Sequence, residues 1–178
     1  MGKKDIASVT TCFIFFTILQ TCLAMQENPV VLRFVEGLRV TTAKYFDAIA
    51  DGNLEMLRSQ YLSKRSLQIL ILTCSSLSDR KLRESLGNDP NACIKHVLYL
   101  GAPDIISKAR EKSKNCGAAS IQVGNDGQHA ILRLPNETIR LVYEDAIWKV
   151  DLRIELSKRI IALSLTPQGR KEIEALLK

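Results

Sequence analysis

His129, Tyr143 and Asp145 are the side chains whose types and spacing best suit acid–base chemistry. An imidazole or carboxylate set inside a pocket can take a proton from a substrate carbon. A Tyr or His donor beside it then steadies the enolate that forms. Each of the three also has an ordinary role, His129 as a strand-end histidine facing water. His96, next to Lys95 in a helical run, reads as a surface residue. No Gly-x-Ser-x-Gly elbow and no glycine-rich phosphate loop occurs in the chain. With two histidines and no Cys-x-x-Cys pair, neither a metal centre nor a cofactor is expected.

A second set is basic: Lys108-Ala-Arg110-Glu-Lys112-Ser-Lys114 concentrates positive charge in one run. The whole chain carries a formal charge of +6. The run suits an acidic protein or an acidic envelope component, and it equally suits a solvated face. Three cysteines lie beyond residue 24, at Cys74, Cys93 and Cys116. In an oxidising compartment one pair bridges and one thiol remains. Cys93 with Cys116 is the expected pair, since these two flank the helical segment that leads into the sheet. Asn136-Glu-Thr138 matches an N-glycosylation acceptor in a turn, relevant only to a eukaryotic secretory route.

The elements that must position these groups follow from periodicity. From Pro29 on, Phe34, Val35, Leu38, Tyr45, Phe46 and Ile49 recur at helical steps until Asp51-Gly-Asn53 breaks the pattern. Leu67 to Cys74 fits a helix face or a buried strand and is taken as helix. Ser78 is expected to cap a helix ending at Gly87. Asp89-Pro90 opens the next, because a proline's missing N–H costs nothing there. Pro103 opens another that carries the basic run. After Cys116 the pattern alternates instead, with turns at Asn125-Asp-Gly127, Pro135-Asn-Glu137 and Glu144-Asp-Ala146. Four strands are predicted between 118 and 153, with Trp148, Val150 and Leu152 buried and Lys149 and Asp151 turned outward. Leu156, Ile160 and Leu163, then Thr166-Pro167, mark closing helices.

The first residues read as an export signal. Lys3 and Lys4 precede an apolar core, Cys12-Phe-Ile-Phe-Phe-Thr-Ile-Leu19, and Cys22-Leu-Ala24 offers small residues before a cleavage point. Residues 1–24 are then a secretory signal peptide and 25–178 a single domain, found in the periplasm or outside the cell, with no stable span after cleavage. An uncleaved anchor is the minority reading, because six Ser, Thr and Gln residues interrupt the segment. Export removes nucleic acid from the expected partners.

Tyr45-Phe-Asp-Ala-Ile-Ala-Asp-Gly-Asn-Leu54 and Glu137-Thr-Ile-Arg-Leu-Val-Tyr-Glu-Asp-Ala-Ile-Trp-Lys-Val-Asp-Leu152 together resemble the small exported bacterial proteins of the nuclear transport factor two-like superfamily. The resemblance implies an α+β fold in which a strongly curved antiparallel meander wraps around helices like a cone, open at one end to a pocket. Ala146 stands where the hairpin usually has Gly, the helical stretch from Ser63 to Asn115 is long, and the helices after Leu152 are additional. That superfamily includes isomerases, dehydratases, secretion-system subunits and proteins of no known activity, so the fold alone selects no function. Two readings follow. One is a non-catalytic binding or assembly module of the envelope, using Lys108, Arg110, Lys112 and Lys114. The other is a small pocket enzyme of isomerase or dehydratase type, using His129, Tyr143 and Asp145.

Overall fold

The computed structural model describes residues 29–87, 89–99, 104–160 and 163–177. The signal peptide expected at 1–24 and the helix start expected at Pro103 lie outside the described residues. The chain divides into two compact units, 1–37 and 38–178. Of the first, only the opening of one helix is described, and all that follows concerns the second. Among the described residues no helix is long and apolar enough to cross a membrane.

Helix α1 (Pro29–Ala50) buries Leu38, Tyr45, Phe46 and Ile49, the residues at helical spacing. Gly52 ends it at φ 66°, a left-handed conformation that a Cβ disfavours. Asn53 then starts a new turn by accepting the Met56 N–H at 3.1 Å, and the chain passes through Leu54–Met56 into a π-helical stretch, Leu57–Tyr61. The ambiguous stretch is helical: α2 (Lys64–Ser75) is capped by Ser63, whose Oγ accepts the Ser66 N–H at 3.1 Å. Ile69, Leu70, Thr73 and Cys74 are buried whereas Ile71 is exposed, which a strand alternating through Ile69 and Ile71 would not give.

Helix α3 (Arg80–Gly87) is capped by Asp79 rather than Ser78, whose N–H instead reaches the Ser164 carbonyl at 2.9 Å. Helix α4 (Pro90–Tyr99) opens as expected, with Asp89 accepting the Asn91 N–H at 2.8 Å. Helix α5 (Ile105–Asn115) carries the basic run. After the sheet come α6 (Arg153–Ile160), with Leu156 and Ile160 buried, and α7 (Pro167–Leu177), with Ile173 buried. Helix α2 is the hub of the helical layer, packing on α3, α4, α6 and α7.

The strands are β1 (Ser120–Val123), β2 (His129–Leu134), β3 (Glu137–Glu144) and β4 (Ile147–Val150), an antiparallel meander in that order. Register pairs Ala130 with Leu141, Leu132 with Ile139 and Leu141 with Val150, so one face buries an unbroken apolar patch that includes Trp148. Two expectations are corrected. The sheet is neither closed nor strongly curled, because its β4 edge is met by Leu62 in a parallel bridge rather than by a further strand. Lys149 and Asp151 are also buried, not solvent-facing. Each holds its own counter-charge, Asp145 for Lys149 and Arg153 for Asp151.

Helix α7 docks through its glycine. A Cβ on Gly169 would lie 2.1 Å from Ser76 Cβ and 2.2 Å from its Oγ. The same corner is tied by Thr166 N–H to the Ser76 carbonyl at 2.8 Å and by the Leu77–Leu165 bridge. Gly169→Ala is therefore expected to destabilise the protein by about 1–3 kcal/mol, overpacking outweighing the better helix propensity of alanine. Urea unfolding of the two proteins reads this directly.

Candidate functional site

His129, Tyr143 and Asp145 are not brought together. His129 opens β2 opposite Val142, and Tyr143 is the next residue along β3, opposite Trp148. Neighbouring residues of a strand point to opposite faces, so the imidazole and the phenol project from different sides of the sheet. Each has separate work. His129 Nδ1 lies 2.6 Å from Asp126 Oδ2 at the surface, while Asp126 Oδ1 accepts the Gln128 and His129 N–H groups and closes the turn. The Gln128 N–H first, and then the His129 ring, hold the Asp126 carboxyl below its usual range. The Tyr143 ring packs 5.3 Å from that of Trp148.

Asp145 belongs to the β3–β4 turn, where it stands at φ 55° and Ala146 at φ 64°. Its carboxylate receives Lys64 Nζ at 2.7 Å and Lys149 Nζ at 3.0 Å, and Glu144 accepts the Lys64 N–H at 2.9 Å. The Lys64 hydrogen bond, then that of Lys149, lowers its pKa. A lowered carboxylate contributes stability at pH values above its unfolded-state pKa and loses it as pH falls through the folded-state pKa. Asp145→Asn should hence remove a stabilisation present at neutral pH, with wild type and variant converging as pH falls below about 4. Thermal melts across pH measure this.

The basic run splits in two. At 3.6 residues per turn, Lys108 and Lys112 share one side of α5 while Arg110 and Lys114 share the other. Lys108 pairs with Asp104 at 2.5 Å, and Lys112 pairs with Glu137 while its ammonium sits 5.5 Å from the centre of the Phe46 ring. Arg110 and Lys114 stay exposed. Arg110 and Lys114 have no ion-pair partner among the described residues, so it is this second pair that offers its charge to solvent.

Lys108 and Lys112 instead border a cavity of about 280 Å³. Phe46 and Ile49 of α1, Ile105 and Ala109 of α5, and Ile139 and Val150 of the sheet give it apolar walls. Charge gathers at its edge, where Asp104, Glu137, Arg140, Asp151 and Glu155 join the two lysines. Asp151 is already satisfied, since both its oxygens accept from Arg153, whose N–H it also caps at the start of α6. An outer cleft of about 1170 Å³ adjoins the cavity and shares five of its residues: Lys108, Lys112, Glu137, Arg140 and Glu155. The one trace of this site in the sequence is a stripe at helical spacing, Ile105, Lys108, Ala109 and Lys112, in which lysines alternate with small or apolar residues on an inward face.

The bridge joins Cys74 of α2 to Cys93 of α4, with Cα atoms 6.0 Å apart, and Cys116 is the free, buried thiol. This replaces the expected Cys93–Cys116 pair. Cys74 and Cys93 meet because α2 packs on α4 and both cysteines lie on buried stripes, whereas Cys116 ends α5. Burial, reinforced by the charges of Asp47 and Glu137, pushes the Cys116 thiol up to about 11. Differential alkylation should therefore leave Cys116 unmodified in the native protein near pH 8 and label it on unfolding, with Cys74 and Cys93 labelled only after reduction. Among the described residues no group of three or more His, Cys, Asp or Glu side chains is placed to hold a metal ion. No family model, no curated protein and no solved structure matches the chain.

Proposed function

We propose that this chain is an exported, non-catalytic binding module of the cell envelope, and that the cavity between α1, α5 and the sheet is its ligand site. The carrying observation is the cavity itself. It has an apolar interior, and its charged edge is largely tied in ion pairs, Lys108 with Asp104 and Lys112 with Glu137. Small-molecule sites combine such apolar walls with a few fixed polar groups. The Cys74–Cys93 bridge supports export, since disulfides persist in oxidising compartments. Membership of the nuclear transport factor two-like superfamily is part of the proposal. A cavity bounded by the first helix and the meander supports it, and the open sheet departs from it.

The enzyme reading keeps one observation in its favour: Lys112 and Glu137 converge at the cavity edge, so an acid–base pair there would take the place of His129. Arg110 and Lys114 give the module an outward basic face for an acidic envelope component or protein. Affinity capture from the envelope fraction of the source cell, read by mass spectrometry, tests this face. Exposed charges are screened beyond about 8 Å at 0.15 M salt. A partner held there is released as ionic strength rises and is not captured by an Arg110→Glu, Lys114→Glu variant. A partner that survives both changes belongs to another surface.

A further inference from the structure

We propose that Asn136 is an acceptor for an N-linked glycan. The inference rests on the export reading and takes its secretory-lumen form, in which the Cys74–Cys93 bridge and the glycan are made in one compartment. Asn136-Glu-Thr138 is the one place in the chain where Asn stands two residues before Ser or Thr. The residue between them is Glu137, not the proline that would disqualify the motif.

A glycan is bulky and solvated, so the folded chain tolerates it only where the asparagine stands clear of packing and of other hydrogen bonds. Pro135 and Asn136 form the two-residue turn beyond the Leu134–Glu137 pair of β2 and β3, and both are exposed. Register sets Thr138 opposite Arg133, exposed on the sheet face away from the buried patch, while its neighbour Ile139 is buried. Among the described residues neither the Asn136 amide nor the Thr138 hydroxyl makes a hydrogen bond. Asn53 and Asn91 differ, the first capping a helix start and the second donating to Glu55 at 3.5 Å. The carboxylate of Glu137 is held by Lys112.

The step is a substitution without redox change. A bond forms between the Asn136 side-chain nitrogen and C1 of the first sugar of a polyprenyl-pyrophosphate-linked oligosaccharide, the donor of a eukaryotic secretory lumen. The C1–oxygen bond to the pyrophosphate breaks, polyprenyl pyrophosphate leaves, and the amide nitrogen gives up one proton. Pro135, Asn136 and Thr138 belong to the wall of the outer cleft, so a glycan rooted there stands beside the entrance to the cavity.

The test expresses the full chain, with its own first residues, in insect cells and analyses the medium by mass spectrometry. Wild type is expected as a secreted protein with one glycan, removed by peptide-N-glycosidase, which leaves an aspartate in place of Asn136. Asn136→Gln and Thr138→Ala should each be secreted with the modification lost, and Thr138→Ser should retain it. Secreted wild type without a glycan, or a glycan that persists in Asn136→Gln, overturns the assignment while export stands. A chain kept inside the cell with residues 1–24 intact overturns the export reading, and the glycan assignment with it.

Discussion

The edge of β4 is the constraint on which the rest of the chain depends. A strand edge exposes N–H and C=O groups that must find partners when buried. Here the segment from Leu62 to Ser66 supplies them. Leu62 bridges Val150, the Ser63 N–H reaches the Val150 carbonyl at 3.0 Å, and Ser66 Oγ accepts the Leu152 N–H at 2.8 Å. Ser63 and Ser66 are themselves joined at 2.8 Å, so the two hydroxyls cap α2 and partner the sheet edge at once. Because α2 also carries α3, α4, α6 and α7, this short seam couples the helical layer to the meander. It also fixes Val150 and Leu152, which form part of the cavity wall.

From that seam the distribution of charge follows. Lysines and carboxylates are spent on each other at the β3–β4 turn, Lys64 and Lys149 on Asp145, and at the cavity, Lys112 on Glu137 and Lys108 on Asp104. Lys149 shows why burial of charge is tolerated at all. Its side chain is 8% exposed, and without Asp145 it would be an uncompensated ammonium against the sheet. Helical phase then separates the basic run of α5 into lysines that border the cavity and an arginine and lysine that face water. A cluster that is single in sequence is thus double in space.

Local chemistry made the meander legible. Alternation bounded by an Asp-Gly turn marks Ser120–Val123 and His129–Leu134 at the ends the structure has, and Gly127 does stand at φ 64°. The helix start at Asp89 was equally readable, since the cap lies within two residues of the N–H it accepts. What could not be read depends on distant chain. Asp145 looked like a reactive carboxylate because Lys64, 81 positions earlier, was not visible beside it. Lys149 and Asp151 looked outward by strand parity, and their counter-charges make the burial tolerable. The partner of Cys93 is decided by how α2 crosses α4, and the cavity by four elements meeting, neither of which any local pattern encodes.

The β3–β4 turn carries a last consequence. Asp145 and Ala146 both adopt the left-handed conformation without a glycine, so this hairpin gains little from its own turn. Hairpin closure here relies on Lys64 and on the 62–66 seam. Strand β4 is consequently held on one side by its ladder with β3 and on the other by a segment far upstream, and local opening of that outer side should involve the two together. Backbone hydrogen exchange at Ser63 and Leu152 would then share one opening free energy, while β1 and β2, closed by Asp126 and Gly127, fluctuate as a separate unit.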